Sequence, residues 1–178
     1  MTNLDTDTHY LRLPIVIRTA NKEDVAKLEW YGQYTHFRNL LRRAYREQML
    51  GRRLMLVADY NDFPIGQLFI QLKSNNRLIA DGKRRAYLYS FRVMEMFRGQ
   101  GIGTMLVNHA ENFISNRGYN SVTIAVAKDN HGAIRLYERL GYGKFAEDSG
   151  KWSYTNHHGK TCYVHEPCWL LEKSLEMR

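Results

Sequence analysis

The sequence predicts a mixed α/β fold. Three observations carry that reading. Short runs rich in Val, Ile, Leu and Tyr recur along the chain, amphipathic stretches with three- and four-residue apolar spacing lie between them, and glycines or turn residues mark the junctions. The 178 residues are 44% hydrophobic and 25% charged, which suits one continuous core and excludes a disordered chain, a collagen rod or a coiled coil. There are 26 basic and 18 acidic residues, a net charge of +8. Such a surplus favours anionic partners and does not choose among nucleic acid, acidic surfaces and phosphorylated ligands. Residues 1–13 read as a flexible leader and 14–174 as a single domain.

The elements follow in order. Leu13 to Thr19 is a short β-branched run with Pro14 near its start, a first strand. Asn21 can cap a helix that carries Glu23 and Asp24 in its first turn, where carboxylates suit the positive end of the helix dipole. From Thr35 to Leu50 the apolar positions Phe37, Leu40, Leu41, Tyr45 and Met49 keep helical spacing, and Gly51 supplies the stop. Arg53 to Tyr60 and Ile65 to Lys73 flank Asn61-Asp62-Phe63-Pro64 as a hairpin. After a polar loop to Arg84, Arg85 to Val93 is a strand, Gly101 to Arg117 a helix, Ser121 to Val126 a strand and Asn130 to Leu140 a helix. Two extended stretches close the chain, about Lys144 to Tyr154 and Cys162 to Leu171.

The most informative stretch is Phe97-Arg98-Gly99-Gln100-Gly101-Ile102-Gly103-Thr104, between a predicted strand and a predicted helix. Glycines here allow a tight turn and leave backbone N–H groups facing outward at a helix N-terminus, a site suited to phosphate or pyrophosphate. A tight strand-to-helix turn with no ligand fits the same residues. A Walker loop is disfavoured because no Lys precedes Thr104, and Gly99-x-Gly101-x-Gly103 departs from the dinucleotide spacing.

Arg98, Gly101 and Gly103 fill the defining positions of Arg/Gln-x-x-Gly-x-Gly/Ala, and the run from Asn130 to Tyr142 carries Asn-x-x-Ala-x-x-x-Tyr-x-x-x-Gly-Tyr. Together the two segments resemble the signatures of the GNAT N-acyltransferase superfamily. The resemblance implies a mixed, largely antiparallel central sheet of about six to seven strands flanked by about four helices. It implies acetyl-CoA as acyl donor, with its pyrophosphate on residues 98–104 and its pantetheine arm paired to backbone groups of Phe91, Arg92 and Val93. Tyr137 corresponds to the family's proton donor for the leaving thiolate, and Asn130 to its CoA-contacting Asn. Read from periodicity alone, Tyr137 is equally a core residue on the stripe with Ala133, Leu136 and Leu140, and Asn130 is equally a helix cap.

The function this implies is transfer of an acetyl group from acetyl-CoA to a primary amine, of a small molecule in preference to a protein. A protein or peptide acetylase, a non-catalytic acyl-CoA sensor and a basic nucleic-acid-binding module are the alternatives. The position where protein N-terminal acetylases of the superfamily often carry a glutamate is Ser90, no general base unaided. That leaves Glu95, Asp59, His157, His158, His165 and Glu166 as candidates without a spacing argument. The stripe of Arg38, Arg42, Arg43, Arg46, Arg52 and Arg53 reads as a solvated face or as a surface for an anionic partner. With no nucleic-acid motif present, the expectation is no nucleic-acid partner.

His157, His158, Cys162, His165 and Cys168 lie close in sequence, but on one extended segment the two cysteines and His165 face opposite ways, so no metal is expected. Tyr87, Tyr89 and Phe91 alternate on one strand face by the same rule. Two cysteines, a polar acidic start and no apolar run of about 18 residues give the expectation of a cytoplasmic protein without membrane attachment. Homodimers are frequent in the family, which leaves a homodimer open by analogy.

Overall fold

The computed structural model describes residues 12–175. Seven strands form one sheet in the order β1-β2-β3-β4-β5-β9-β6. These are β1 (Val16–Thr19), β2 (Arg53–Tyr60), β3 (Phe63–Gln71), β4 (Arg85–Val93), β5 (Ser121–Ala127), β6 (Gly143–Asp148) and β9 (Cys168–Ser174). The β4–β5 pair is parallel, and the other pairs of this sheet are antiparallel. Helices α1 (Asp24–Lys27) and α2 (Arg38–Met49) cover one face, around Leu28, Leu41, Met55, Val57 and Phe69. Helices α3 (Ile102–Ser115) and α4 (His131–Arg139) cover the other, around Leu68, Leu88, Leu106, Ile114 and Ile124. Each such fully buried side chain contributes about 1.5–3 kcal/mol by leaving water, and the sheet is sealed from both sides.

The mixed, mainly antiparallel sheet with four helices matches the expected class. Several boundaries differ. The first strand begins at Val16, after Pro14. The expected leader lies outside the described residues except for Arg12 and Leu13. Helix α1 is a single turn: Asn21 and Asp24 exchange hydrogen bonds through Asn21 Oδ1 (3.0 Å) and Asp24 Oδ2 (2.7 Å), and Trp30 and Tyr31 then leave helical space at φ 42 and 56°. Asn61 and Asp62 take positive φ, 50 and 59°, the turn that suits the twist of a two-residue hairpin, so β3 resumes at Phe63.

The two C-terminal stretches are each broken in two. β7 (Lys151–Thr155) and β8 (Thr161–His165) pair with each other as a separate hairpin instead of extending β6 and β9. Pro167 has no N–H to continue a ladder, and Gly150 crosses so near β8's end that a Cβ there would lie 1.7 Å from the Glu166 carbonyl oxygen. The Glu166 amide donates to the Gly150 carbonyl across that crossing at 3.1 Å. No helix among the described residues is long and apolar enough to cross a membrane.

Candidate active site

The sheet opens in its middle. β4 and β5 are in register for four pairs, from Arg85↔Ser121 to Leu88↔Ile124, and then part. Beyond that point the edge of β4 facing β5 has no strand partner among the described residues, so its backbone groups are free of ladder pairing. A bulge accompanies the parting. Gln67 and Phe69 of β3 are two residues apart, yet their partners Arg92 and Tyr89 are three apart, so β4 carries one extra residue. Ser90 takes φ 53° there. The wholly buried Gln67 fixes the kink, its Nε2 donating to the Ser90 carbonyl (2.9 Å) and to Ser90 Oγ (2.8 Å).

The bulge inverts the side-chain alternation. Ala86 and Leu88 pack on the α3 side, and Tyr89 on the α2 side against Phe69. After Ser90, Phe91 turns to the α3–α4 side, its ring 6.2 Å from that of Tyr137, and Arg92 turns to the α2 side over Tyr34 and Phe37. The expectation that Tyr87, Tyr89 and Phe91 share a face is therefore corrected, because strict alternation fails across an inserted residue.

At one mouth of the opening lies the glycine turn. Gly99 and Gly101 have φ of 75 and 80°, and Gly101 precedes the first turn of α3 with no side chain capping it, so the first amides of that helix remain donors. Arg98 is exposed, with Nε donating to the Val93 carbonyl at 3.0 Å. Gln100 is exposed and Thr104 partly so, whereas Ile102 is buried, which leaves its backbone alone facing the turn. Gly103 has a packing reason of its own: a Cβ there would stand 2.9 Å from Phe91 Cζ. The donors, the helix end and the unpaired β4 edge fit a pyrophosphate with an extended amide-bearing arm. Asn130 caps α4, its Oδ1 accepting from the Ala133 amide at 3.1 Å.

Tyr137 is 3% exposed, packed between Phe91 and Tyr142. Burial, with a smaller contribution from Tyr87, lifts its phenol well above the ordinary tyrosine range, and its hydroxyl has no hydrogen-bond partner among the described residues. Such a group holds its proton at neutral pH and lacks only an acceptor.

At the other mouth, on the α2 side, is a cavity of about 540 Å³ lined in part by Tyr87, Ser90, Arg92, Asp148, Glu166 and Cys168. Among the candidate bases, Glu166 alone lines it. Asp59 is committed to Arg18 (2.9 Å), Glu95 sits beside the glycine turn, His157 and His158 lie in the turn joining β7 to β8, and His165 is exposed at the end of β8. Sequence reading missed Asp148, which reaches the cavity because β6 pairs with β9 at Asp148↔Cys168, a long-range register that no local spacing announces. Much of the basic stripe is neutralised internally: Arg38 binds Glu29 with its fork (2.6 and 2.7 Å), and Arg43 and Arg53 share Glu47. Among the described residues no group of three or more His, Cys, Asp or Glu could hold a metal ion. The β7–β8 hairpin separates His157 and His158 from Cys168 on β9.

Residues 22–142 match the model of the Acetyltransferase (GNAT) family. The chain belongs to that family. An uncharacterized N-acetyltransferase of Methanocaldococcus jannaschii is 35% identical over 86 residues, 48% of this chain and 37% of that protein. The thialysine N-epsilon-acetyltransferase of Mus musculus is 35% identical over 71 residues, 40% of this chain and 42% of that one. The chain spans less than half the length of these curated relatives. The crystal structure of Arabidopsis thaliana NAA60 in complex with acetyl-CoA superposes with a TM-score of 0.67 at 21% identity, covering 90% of this chain and 98% of that one. That likeness establishes the GNAT fold.

Proposed function

We propose that this GNAT-family protein is an acetyl-CoA-dependent N-acetyltransferase acting on the primary amine of a small molecule, with residues 14–174 as the catalytic unit. The observation that carries the reading is the parted β4–β5 pair, with the glycine turn at one mouth and the cavity at the other. Acetyl-CoA supplies an activated thioester. The amides from Gly99 to Thr104, with Arg98, hold its pyrophosphate, and the backbone of Phe91, Arg92 and Val93 takes its pantetheine arm. A backbone N–H at the bulge stabilises negative charge on the acetyl oxygen as the amine attacks.

A free alkylamine has a pKa of about 10, so the acceptor must lose a proton before it attacks. Glu166, carboxylate-bearing and on the acceptor side, takes that proton directly or through water. Tyr137 stands on the opposite side of the opening and gives its proton to the departing sulfur. Asn130 orients the α4 terminus beside the donor. The mouse relative's name assigns its acetyl group to the ε-nitrogen of thialysine, which supports a small-molecule acceptor. Both cysteines are free, in keeping with a reducing cytoplasmic setting.

The test is release of free CoA from acetyl-CoA across a panel of polyamines, amino acids, aminoglycosides and basic peptides. Turnover with small amines is expected. Turnover confined to peptides overturns the small-molecule acceptor. Silence on every amine, with acetyl-CoA still bound, replaces the enzyme by an acyl-CoA sensor.

A further inference from the structure

Three arginines line the cavity, and two of them have partners: Arg43 and Arg53 share Glu47, and Arg53 also donates to the Tyr89 hydroxyl at 2.6 Å. The Arg92 guanidinium makes no ion pair or hydrogen bond to any described residue. Its Cζ lies 4.2 Å from the Tyr34 ring centre and 4.7 Å from that of Phe37, and it lines the 540 Å³ cavity. Burial draws its pKa below the ordinary arginine range, with Tyr34 a smaller opposing influence. Aromatic faces hold a guanidinium in place and weaken its hydration without using its N–H donors. An arginine so placed is preorganised for a planar anion, which takes two of those N–H groups at once.

The position is also built. Strict alternation along β4 would send Arg92 into the core with Leu88. The extra residue at Ser90 sends it into the cavity instead. The same cavity carries Glu166, whose carboxylate has no ion pair among the described residues, so a cation and a carboxylate face one space, the pattern complementary to a molecule bearing both an anion and an ammonium.

We propose that Arg92 binds a carboxylate carried by the amine acceptor, so that the acceptor is a small amino-acid-like molecule and not a bare amine. This rests on the N-acetyltransferase reading above. The carboxylate could belong to a free amino acid or to an acidic side chain next to a peptide N-terminus, and the proposal commits to the first.

The experiment compares full-length wild-type protein with Arg92→Lys and Arg92→Gln on matched pairs: L-lysine with cadaverine, L-phenylalanine with 2-phenylethylamine, L-tyrosine with tyramine. Peptides beginning with Asp or Glu form a further arm. CoA release gives kcat and KM. Calorimetric titration of the CoA-loaded protein with the N-acetyl form of each pair member gives affinity without turnover. In wild type the carboxylate-bearing member of at least one pair is expected to lead by about ten- to a hundred-fold in kcat/KM, the range for charged hydrogen bonds. Arg92→Gln removes that lead by raising KM for the acid, so that the acid-to-amine ratio of kcat/KM falls toward one. Arg92→Lys, which keeps the charge on the aromatic rings but loses the fork, retains thermal stability and only part of the lead.

Turnover of bare amines with no dependence on carboxylate or on Arg92 overturns the subsite and keeps the enzyme. Arg92-dependent binding of N-acetyl amino acids without turnover of any amine overturns the enzyme and keeps the subsite. Arg92-dependent turnover confined to acidic peptides overturns the small-molecule source. A uniform loss of stability in both variants with an unchanged acid-to-amine ratio makes Arg92 a clamp on Tyr34 and Phe37 alone.

Discussion

Tyr137 is buried with its ring wedged between Phe91 and Tyr142, and among the described residues its hydroxyl has no hydrogen-bond acceptor. Ring and hydroxyl therefore have separable roles. Tyr137→Phe keeps the ring, so stability should stay within about 1 kcal/mol of wild type and acetyl-CoA affinity should change little. Its kcat should fall roughly ten- to ten-thousand-fold, the span expected for loss of a positioned acid. Full activity in this variant would falsify the proton-donor role. A second residue-scale outcome concerns Asp24, which is 0% exposed and gripped by Arg18 at 2.6 and 3.0 Å. Burial works to raise its pKa, and the Arg18 hydrogen bonds with the Asn21 amide outweigh it, leaving the carboxyl below its ordinary value. A depressed folded pKa gives stability that is fully present above the unfolded value of about 3.9 and lost as pH falls through the folded one. Arg18→Met leaves that carboxylate buried and unpaired. Urea titrations should then show a loss of about 3 kcal/mol at neutral pH, with acid unfolding starting at a higher pH than in wild type. Tyr137 was visible in the sequence because a motif places it. Arg92 was visible only as a backbone position on β4, because nothing in the residues announces a bulge at Ser90.

At the level of elements, the strand ends and the turns decide what the sequence could foretell. The hairpin at Asn61-Asp62 and the amphipathic runs of α2, α3 and α4 were legible because each is a local pattern of a few residues. The last two extended stretches were misread as single strands because hydrophobic content does not register where Gly150 and Glu166 cross, a contact between distant parts of the chain. The bulge in β4 is hidden for the same reason: its latch, Gln67, lies on another strand. Both features can be tested. Ser90→Gly accepts the positive φ at no steric cost and loses one hydroxyl, so stability should move by no more than about 1 kcal/mol. Ser90→Val puts a β-branched residue at φ 53° and should cost about 1–3 kcal/mol, by urea midpoint at constant slope. Equal stability of the two variants would mean that the bulge relaxes without cost. Gly150→Ala would drive a methyl into the Glu166 carbonyl and should open the base of the β7–β8 hairpin, seen as faster proteolytic cleavage within 149–167 in the variant. An unchanged cleavage rate would show that the crossing has room to shift.

The whole molecule is a sheet sealed by helices on both faces and split once, between its two parallel strands, and that split was foreseeable only through family resemblance. Composition and periodicity lead to a mixed α/β domain, whereas the strand order depends on pairings such as β5 with β9 that join residues more than forty positions apart. A ligand spanning the split should tie its two halves together. One that binds only the folded chain stabilises it by mass action, about 2.7 kcal/mol at a hundred-fold excess over its Kd. For a chain of this size that is a rise in Tm of about 5–10 °C. Acetyl-CoA should produce such a rise, and S-acetylpantetheine, which lacks the nucleotide and its pyrophosphate, a smaller one. The glycine to replace is Gly101 and not Gly103. A side chain at Gly103 strikes Phe91, so a lost shift there would report damaged packing, whereas a Cβ at Gly101 meets no heavy atom within 4 Å. Gly101→Leu therefore lowers the starting Tm only through its φ of 80°, a strain of about 1–2 kcal/mol, and its side chain projects where the pyrophosphate would sit. The quantity to read is the ligand-induced shift and not the starting Tm. A shift abolished in Gly101→Leu while the variant still unfolds cooperatively supports the turn as the anion site. A shift of wild-type size removes residues 98–104 from the donor site and leaves the glycines as a tight strand-to-helix turn.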